Sequence, residues 1–419
     1  MLRYFLLRAV HRHLFAICIC SLLCYSLLSI FLVTIPILPS DFATVNAPFL
    51  VLCLFPLTFS NYFPTFFRGF PDQTQWNGSV EIVEDVYHSA DVFRRNYDEM
   101  ERKFKIYAYR DGDEYDDSTP RTIHWKYASE SYFFKNIRES SFLTDDPHHA
   151  HLFFIPLSCH KIRQKVSSYQ KMESYVKDYV EGLILKYPYW NRTLGSDHFF
   201  VSCHEFDLGA TQGVHMLVKN SIRAACSSSY RHGFIPHKDF AVPQINQPFA
   251  QPAGGYALHR RTILGYWEGK CNSDIRKKLV HLWGKDKELY FQNQTVPKLS
   301  TIYKFYSAKF CICPASSSHT SARITRAIHY GCVPVILGDH FDLPFVDILE
   351  WRKFALLLKE ADVYKLKDIL KAKAGAEYRM LHNNLLKVQK HFQWNAPPVK
   401  FDAFHMVIYD LWLRRNVVK

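Results

Sequence analysis

Arg323 and Arg326 stand three residues apart just after Ser321, and the six residues before that serine (ASSSHT) are small, hydroxyl-bearing or polar. A guanidinium donates in a planar fork that matches phosphate oxygens. A hydroxyl-rich turn opening a helix adds a cluster of backbone N–H groups and the positive end of the helix dipole. Together they describe an anion site with a diphosphate as the generic ligand. Taken alone, the stretch also fits an ordinary strand–helix–strand unit with two surface arginines. A second constellation, His204, Glu205 and Asp207, follows the apolar run 198–203, and His160 follows the apolar run 152–157 in the same way. An imidazole or a carboxylate at such a place can serve as a general base. Each histidine by itself is equally a structural hydrogen-bonder, but two strand ends meeting at one crevice favour the functional reading.

These groups need elements that position them. Residues 310–313, closed by Pro314, suit a buried parallel strand. Ile324, Ala327 and Ile328 fall at helical spacing, Gly331 ends that helix, and residues 333–337 form the next strand. Further buried strands are predicted at 104–109, 151–157, 198–203, 261–267 and 354–358, and amphipathic helices at 127–137, 166–185, 363–392 and 402–414. Residues 243–256, with Pro, Gln and Gly-Gly, read as an interdomain linker. Alternating strands and helices on both sides of it predict two Rossmann-like α/β domains facing a cleft. In such sheets ligands sit off the carboxyl ends of the strands, where both constellations lie.

The chain has 419 residues, 48% of them apolar and 16% aromatic, enough for large cores in two domains. Its formal charge is +13. The basic residues are scattered, which excludes a nucleic-acid partner as the leading reading and leaves smaller anions such as nucleotide-sugars, acidic polysaccharides or lipid headgroups. None of the 11 cysteines falls in a metal or redox spacing. Cys311 and Cys313 alternate on one strand and cannot easily bond to each other. One or two disulfides fit the body, with pairing open. Asp111, Asp113, Glu114, Asp116 and Asp117 contain an Asp-x-Asp after a strand, a spacing able to hold a cation, but the run reads as a solvated acidic loop. His148, His149 and His151 lack ligand spacing. No metal and no cofactor is expected.

Residues 14–38 are apolar and free of charge, long enough to cross ~30 Å of hydrocarbon. Arg3, Arg8 and Arg12 precede them and Asp41 follows, so the expected topology is a cytosolic tail (1–13), a signal anchor (14–38) and a lumenal body. A second apolar run, 45–59, is broken by Pro48 and Pro56 and belongs to a stem, 39–99. The sequons at Asn77, Asn191 and Asn293 fit a lumenal body.

The stretches YASESYFFKNIRES, HLFFIPLSCHKIR, YPYWNRTLGSDHFFVSCHEFD, GFIPHKDFAVPQ, RRTILGYWEGK and SARITRAIHYGCVPVILGDHFDLPFVDILEW resemble, in order, the plant exostosin-type glycosyltransferases. The resemblance covers residues 104–413. It implies the glycosyltransferase-B fold, with an acceptor-side domain (100–245), a donor-side domain (246–396) and a C-terminal helix (397–419). It implies a Golgi type II membrane protein that moves a sugar from a UDP-sugar to a wall matrix polysaccharide, pectin or hemicellulose, usually with inversion and without a metal. Its expected partners are the UDP-sugar donor, the polysaccharide acceptor, the Golgi membrane and other glycosyltransferases of a complex. By the same resemblance Arg261, Gly269, Arg276, Ser321, Arg323 and Arg326 fall on the donor side. Asp197, His198 and His160 fall on the acceptor side, and His204 or Glu205 is the expected base.

One position departs from the family. Three residues after Arg323, relatives usually carry an acidic residue that resembles a ribose-binding carboxylate, and this chain has Arg326. A guanidinium donates hydrogen bonds and accepts none. If the family role holds, uridine binding weakens by one or two charge-assisted hydrogen bonds, ~1.5–3 kcal/mol each. Either Arg326 grips the donor differently, through phosphate, or donor binding is lost and the chain is a non-catalytic scaffold or lectin-like subunit of a synthase complex.

Overall fold

The computed structural model describes residues 84–111, 128–158, 161–162, 165–166, 168–203, 205–230, 233–293, 298–315 and 320–416, with the side chains of 84, 169, 205–208, 298 and 299 outside the description. The chain divides into two units, Met1–Gly69 and Phe70–Lys419, and the described residues all belong to the second. The expected membrane anchor (14–38), Asn77, His160, His204 and most of the acidic loop (112–127) lie outside them. Among the described residues no helix is long and apolar enough to cross a membrane.

Helix α1 (Ala90–Lys103) buries Phe93, Tyr97 and Met100, whose spacing of four and then three puts them on one face. Residues 90–99, expected in the stem, are therefore part of the folded body. A parallel sheet follows, built in the order β1-β2-β3-β4-β5. Its elements along the chain are β1 (Ile106–Ala108), α2 (Ala128–Glu139), β2 (Leu152–Phe154), α3 (Tyr169–Lys186), β3 (His198–Ser202), α4 (Glu205–Gln212), α5 (His215–Asn220), β4 (Ile222–Ala225) and β5 (Phe240–Ala241). Every position of β2, β3 and β4 is buried, as interior strands covered on both faces require. Alternation along the strands splits the side chains. Phe153 and Phe200 join Met172, Val176 and Val180 of α3, while Phe154 and Phe199 join Phe133 of α2.

The second sheet contains β6 (Ile263–Glu268), α6 (Asp274–Trp283), β7 (Leu289–Gln292), α7 (Lys298–Ser307), β8 (Ala308–Pro314), α8 (Thr320–His329), β9 (Val333–Leu337) and β10 (Leu356–Leu358). It is also parallel, in the order β10-β9-β8-β6-β7. Strand β6 pairs with both β7 and β8, so the chain works outward in opposite directions from the β6/β8 seam. Such a reversal is a topological switch point, with a crevice beyond the carboxyl ends of the two strands. Helices α9 (Leu366–Lys373) and α10 (Ala376–Val388) follow.

The last helix, α11 (Ala403–Arg414), starts on Asp402, whose side chain accepts from His405 N at 3.1 Å. It returns to the first sheet. Phe404 packs 5.8 Å from Phe133 and Trp412 5.6 Å from Phe104, centroid to centroid. One apolar cluster accordingly runs through both sheets. Two disulfides lock neighbouring strands. Cys203–Cys226 joins the ends of β3 and β4, and Cys311–Cys332 joins β8 to the entry of β9. Cys313, next on β8, stays free and buried.

Candidate functional site

The crevice at the β6/β8 seam is bounded by Glu268 and Gly269 at the end of β6 and by the first turn of α8. Gly269 has φ +154°, a backbone conformation that residues with a Cβ rarely adopt, and its N–H reaches Gln292 O at 3.1 Å. The turn lets β6 end close to α8. Arg323 Nη2 donates to the backbone oxygen of Glu268, and Arg323 Nη1 is buried with no partner among the described residues. Thr320 Oγ1 donates to Pro314 O at 2.8 Å, tying the helix start to the end of β8.

The electrostatics of this corner are cationic. Arg276 on α6 is buried and donates to Asn272 Oδ1 at 2.7 Å. Burial pushes its guanidinium below the usual arginine range, and Arg323 pushes the same way. Arg326 is lowered by burial and again by Arg323, with Glu268 among the groups that oppose the shift. Arg323 thus repels a cation on either side, an arrangement that an anion would relieve. The structure also separates the two arginines met first in the sequence. Arg323 is held against the end of β6, whereas Arg326 lines a cavity of about 230 Å³ with Glu268, Thr301, Ala322, Phe249 and Tyr330. A larger cavity, about 430 Å³, involves Thr262–Leu264 and Leu289. These residues lie at the amino ends of β6 and β7, the wrong edge of the sheet for the seam.

The linker joins this corner to the first sheet. Gln244 N donates to Ser321 Oγ at 3.2 Å, and Gln244 Nε2 donates to Cys203 O at 3.1 Å. Ser321 Oγ in turn donates to Val242 O at 3.2 Å. One residue, through its backbone N–H and its side chain, therefore links the start of α8 to the carboxyl end of β3, directly before His204 and Glu205. Ser129 of α2 fixes the same segment by donating to Pro243 O at 3.0 Å and accepting from Ile245 N at 2.8 Å. Trp394 Nε1 also donates to Pro243 O, at 2.9 Å. Gln244, Ser129 and Glu268 were not singled out from the sequence. Their importance comes from contacts with residues 33 to 116 positions away, and residue type and spacing carry no signal for that.

Several expected site residues stand elsewhere. Arg261 is 1% exposed. Its Nε donates to Tyr256 O at 3.0 Å, Nη1 to Phe305 O and Ala308 O at 3.1 and 2.8 Å, and Nη2 to Tyr330 O at 2.8 Å. All three nitrogens are engaged with backbone, which gives Arg261 a scaffolding task beneath the site. Asp197 and His198 lie at the amino end of β3, away from the crevice. His198 Nδ1 meets Asp197 Oδ1 and His198 Nε2 meets Tyr109 Oη, both at 2.7 Å, while Arg192 Nε donates to Asp197 Oδ2 at 2.7 Å. Burial holds the imidazole below its ordinary range, against the pull of Asp197, so this is a neutral, fully partnered histidine in the core. Ser321 uses its hydroxyl on the linker. Glu205 opens α4, at the crevice edge of the first sheet. Asn191 and Asn293 are exposed. Among the described residues no cluster of His, Cys, Asp or Glu could hold a metal ion.

Residues 100–373 match the Exostosin GT47 domain. An Arabidopsis thaliana protein named a probable glycosyltransferase is 35% identical over 346 residues, covering 80% of this chain; the chain spans 66% of that relative's length. An Arabidopsis thaliana protein named a probable beta-1,4-xylosyltransferase is 26% identical over 342 residues, covering 74% of this chain and 82% of its own. Among solved structures, S. aureus TarM matches over 53% of this chain and 55% of its own, at 9% identity and a TM-score of 0.28, too remote a likeness to argue from. The domain match spans well over half of the sequence and contains the linker, the seam and both arginines of α8. The chain belongs to the exostosin GT47 family of glycosyltransferases.

Proposed function

We propose that this protein transfers a sugar from a UDP-sugar to a hydroxyl of a plant cell-wall matrix polysaccharide, pectin or hemicellulose, with inversion at the anomeric carbon. It works in the Golgi as a single-pass type II membrane protein with its body in the lumen. The observation that carries the reading is the Gln244 bridge, because it holds the cationic seam of the second sheet against the carboxyl end of β3. A donor diphosphate at the α8 end and an acceptor hydroxyl at the β3 end would then face each other across one crevice. The family membership and the relative named as a xylosyltransferase support the reaction class and a wall-polysaccharide acceptor.

In this reading the base, His204 or Glu205, takes the acceptor hydroxyl's proton while that oxygen bonds to the anomeric carbon. The bond from that carbon to the diphosphate oxygen breaks, and its electron pair leaves with UDP. Arg323, Arg276 and the N-terminus of α8 meet the growing charge on the diphosphate, the task a metal performs in other transferases. Holding both substrates in line supplies much of the remaining acceleration.

The test is calorimetric titration of the protein with UDP. Wild type should bind, and Arg323→Ala should bind at least about tenfold more weakly, the loss of one charge-assisted contact. A wild type that binds no UDP, with binding restored in Arg326→Glu, would instead support the scaffold reading. Product analysis with a panel of UDP-sugars and pectin or xyloglucan oligosaccharides then assigns the sugar and acceptor.

A further inference from the structure

Glu268 ends β6 as a buried carboxylate, 5% exposed. Its Oε1 accepts from Thr301 Oγ1 at 2.7 Å, and its Oε2 is buried and makes no hydrogen bond of good geometry among the described residues, although the Tyr266 hydroxyl, likewise unpaired, interacts with this carboxylate. A buried polar atom left this way calls for an explanation, since a lost partner is costly and a charged one more so. The same residue lines the 230 Å³ cavity together with Arg326, yet no ion pair joins the two among the described residues, although Glu268 is among the charges acting on Arg326. The cavity is smaller than the ~300–1,000 Å³ that takes a whole drug-sized ligand, so its scale is that of one sugar ring. Phe249, Ile302, Ala322 and Tyr330 supply the apolar walls.

An acceptor-only carboxylate and a donor-only guanidinium lining one cavity with apolar walls match one kind of group well. A hydroxyl both donates and accepts, so a ring bearing adjacent hydroxyls can give protons to Glu268 and take them from Arg326. We infer that Glu268 and Arg326 together form a sugar-hydroxyl subsite at the β6/β8 seam. Glu268 is the specificity-determining acceptor and Arg326 the matching donor. The inference rests on the donor reading above. The ring is either the ribose of the nucleotide or the sugar being transferred.

Titrations of the whole protein with UDP, 2′-deoxy-UDP, inorganic pyrophosphate and a UDP-sugar separate the possibilities. If the ring is the ribose, Glu268→Gln, which keeps shape and removes charge, is expected to weaken UDP about tenfold or more and to leave pyrophosphate within about twofold. For a ribose ring, 2′-deoxy-UDP binds wild type correspondingly weakly and the variant no worse. For the transferred sugar, UDP is unaffected and only the UDP-sugar loses affinity. Arg326→Gln reports on the same ring from its other side and should show the same ligand pattern. Arg326→Glu sets a second carboxylate against Glu268 and should bind UDP or the UDP-sugar more weakly than wild type. The inference is overturned if Glu268→Gln binds UDP and the UDP-sugar as wild type does, or if Arg326→Glu binds them more tightly. A wild type that ignores UDP and pyrophosphate alike overturns the donor reading itself, and the subsite with it.

Discussion

Arg261 offers the sharpest separation of a scaffolding role from a ligand-binding one. The resemblance puts it among the donor residues, whereas its side chain reaches four backbone oxygens, from the linker (Tyr256), the end of α7 (Phe305), the start of β8 (Ala308) and the residue after α8 (Tyr330). Burial lowers its guanidinium to about 10, so it stays protonated at neutral pH. Arg261→Lys keeps the charge but replaces a rigid fork with a single ammonium, which cannot reach four divergent carbonyls from one point. Loss of two hydrogen bonds to a charged group costs ~3–6 kcal/mol. For a body larger than 150–250 residues, at the low end of ~2–4 °C per kcal/mol, the melting midpoint should fall by roughly 6–12 °C. Differential scanning calorimetry measures the fall, and UDP titration well below the new midpoint should show affinity within about threefold of wild type. An unchanged midpoint together with a tenfold or greater loss of UDP affinity would refute the scaffolding argument and return Arg261 to the donor site.

Two other expectations concern stability. Asp410, buried beside Arg414 Nη1 at 2.8 Å, is raised by burial to about 7, with Arg414 opposing. The folded state therefore holds a proton that the unfolded state has lost between about pH 4 and 7, and stability falls as pH rises through that window, by up to ~1.4 kcal/mol per pH unit. Urea midpoints from pH 5 to 8 should show this slope in wild type relative to Asp410→Asn; equal slopes in the two proteins would contradict it. The Cys203–Cys226 bond closes a separation of 23 residues, so the double substitution to alanine should cost about 3 kcal/mol by the loop-entropy relation. Denaturant unfolding reads that difference, and no change would mean that the link contributes nothing.

The sequence by itself determined most strands of both sheets, though not β4 or β7, and the polar turn that opens α8. Apolar runs such as 152–154 and 333–337 suit interior strands of a sheet covered on both faces, and the SSS and SARITR spacing makes a polar helix start with arginines on one side. It also carried the family, because long ordered motifs survive as text. What it could not decide is which polar groups are used up. Arg261, Ser321, Asp197 and His198 all carry chemistry by type, yet their hydrogen bonds end on backbone, on one another or on the neighbouring Tyr109 and Arg192. That depends on contacts between positions as far apart as Arg261 and Tyr330. Only the tertiary structure also shows that β6 lies beside β8, which makes that seam the switch point. Strand order is set by crossover packing rather than by local pattern. The same packing brings Glu268 and Arg326 to one cavity and places Gln244 between α8 and the end of β3. The departure at Arg326, which from the sequence alone was a missing carboxylate, becomes in three dimensions a guanidinium on α8 that shares a cavity with a carboxylate from the end of β6.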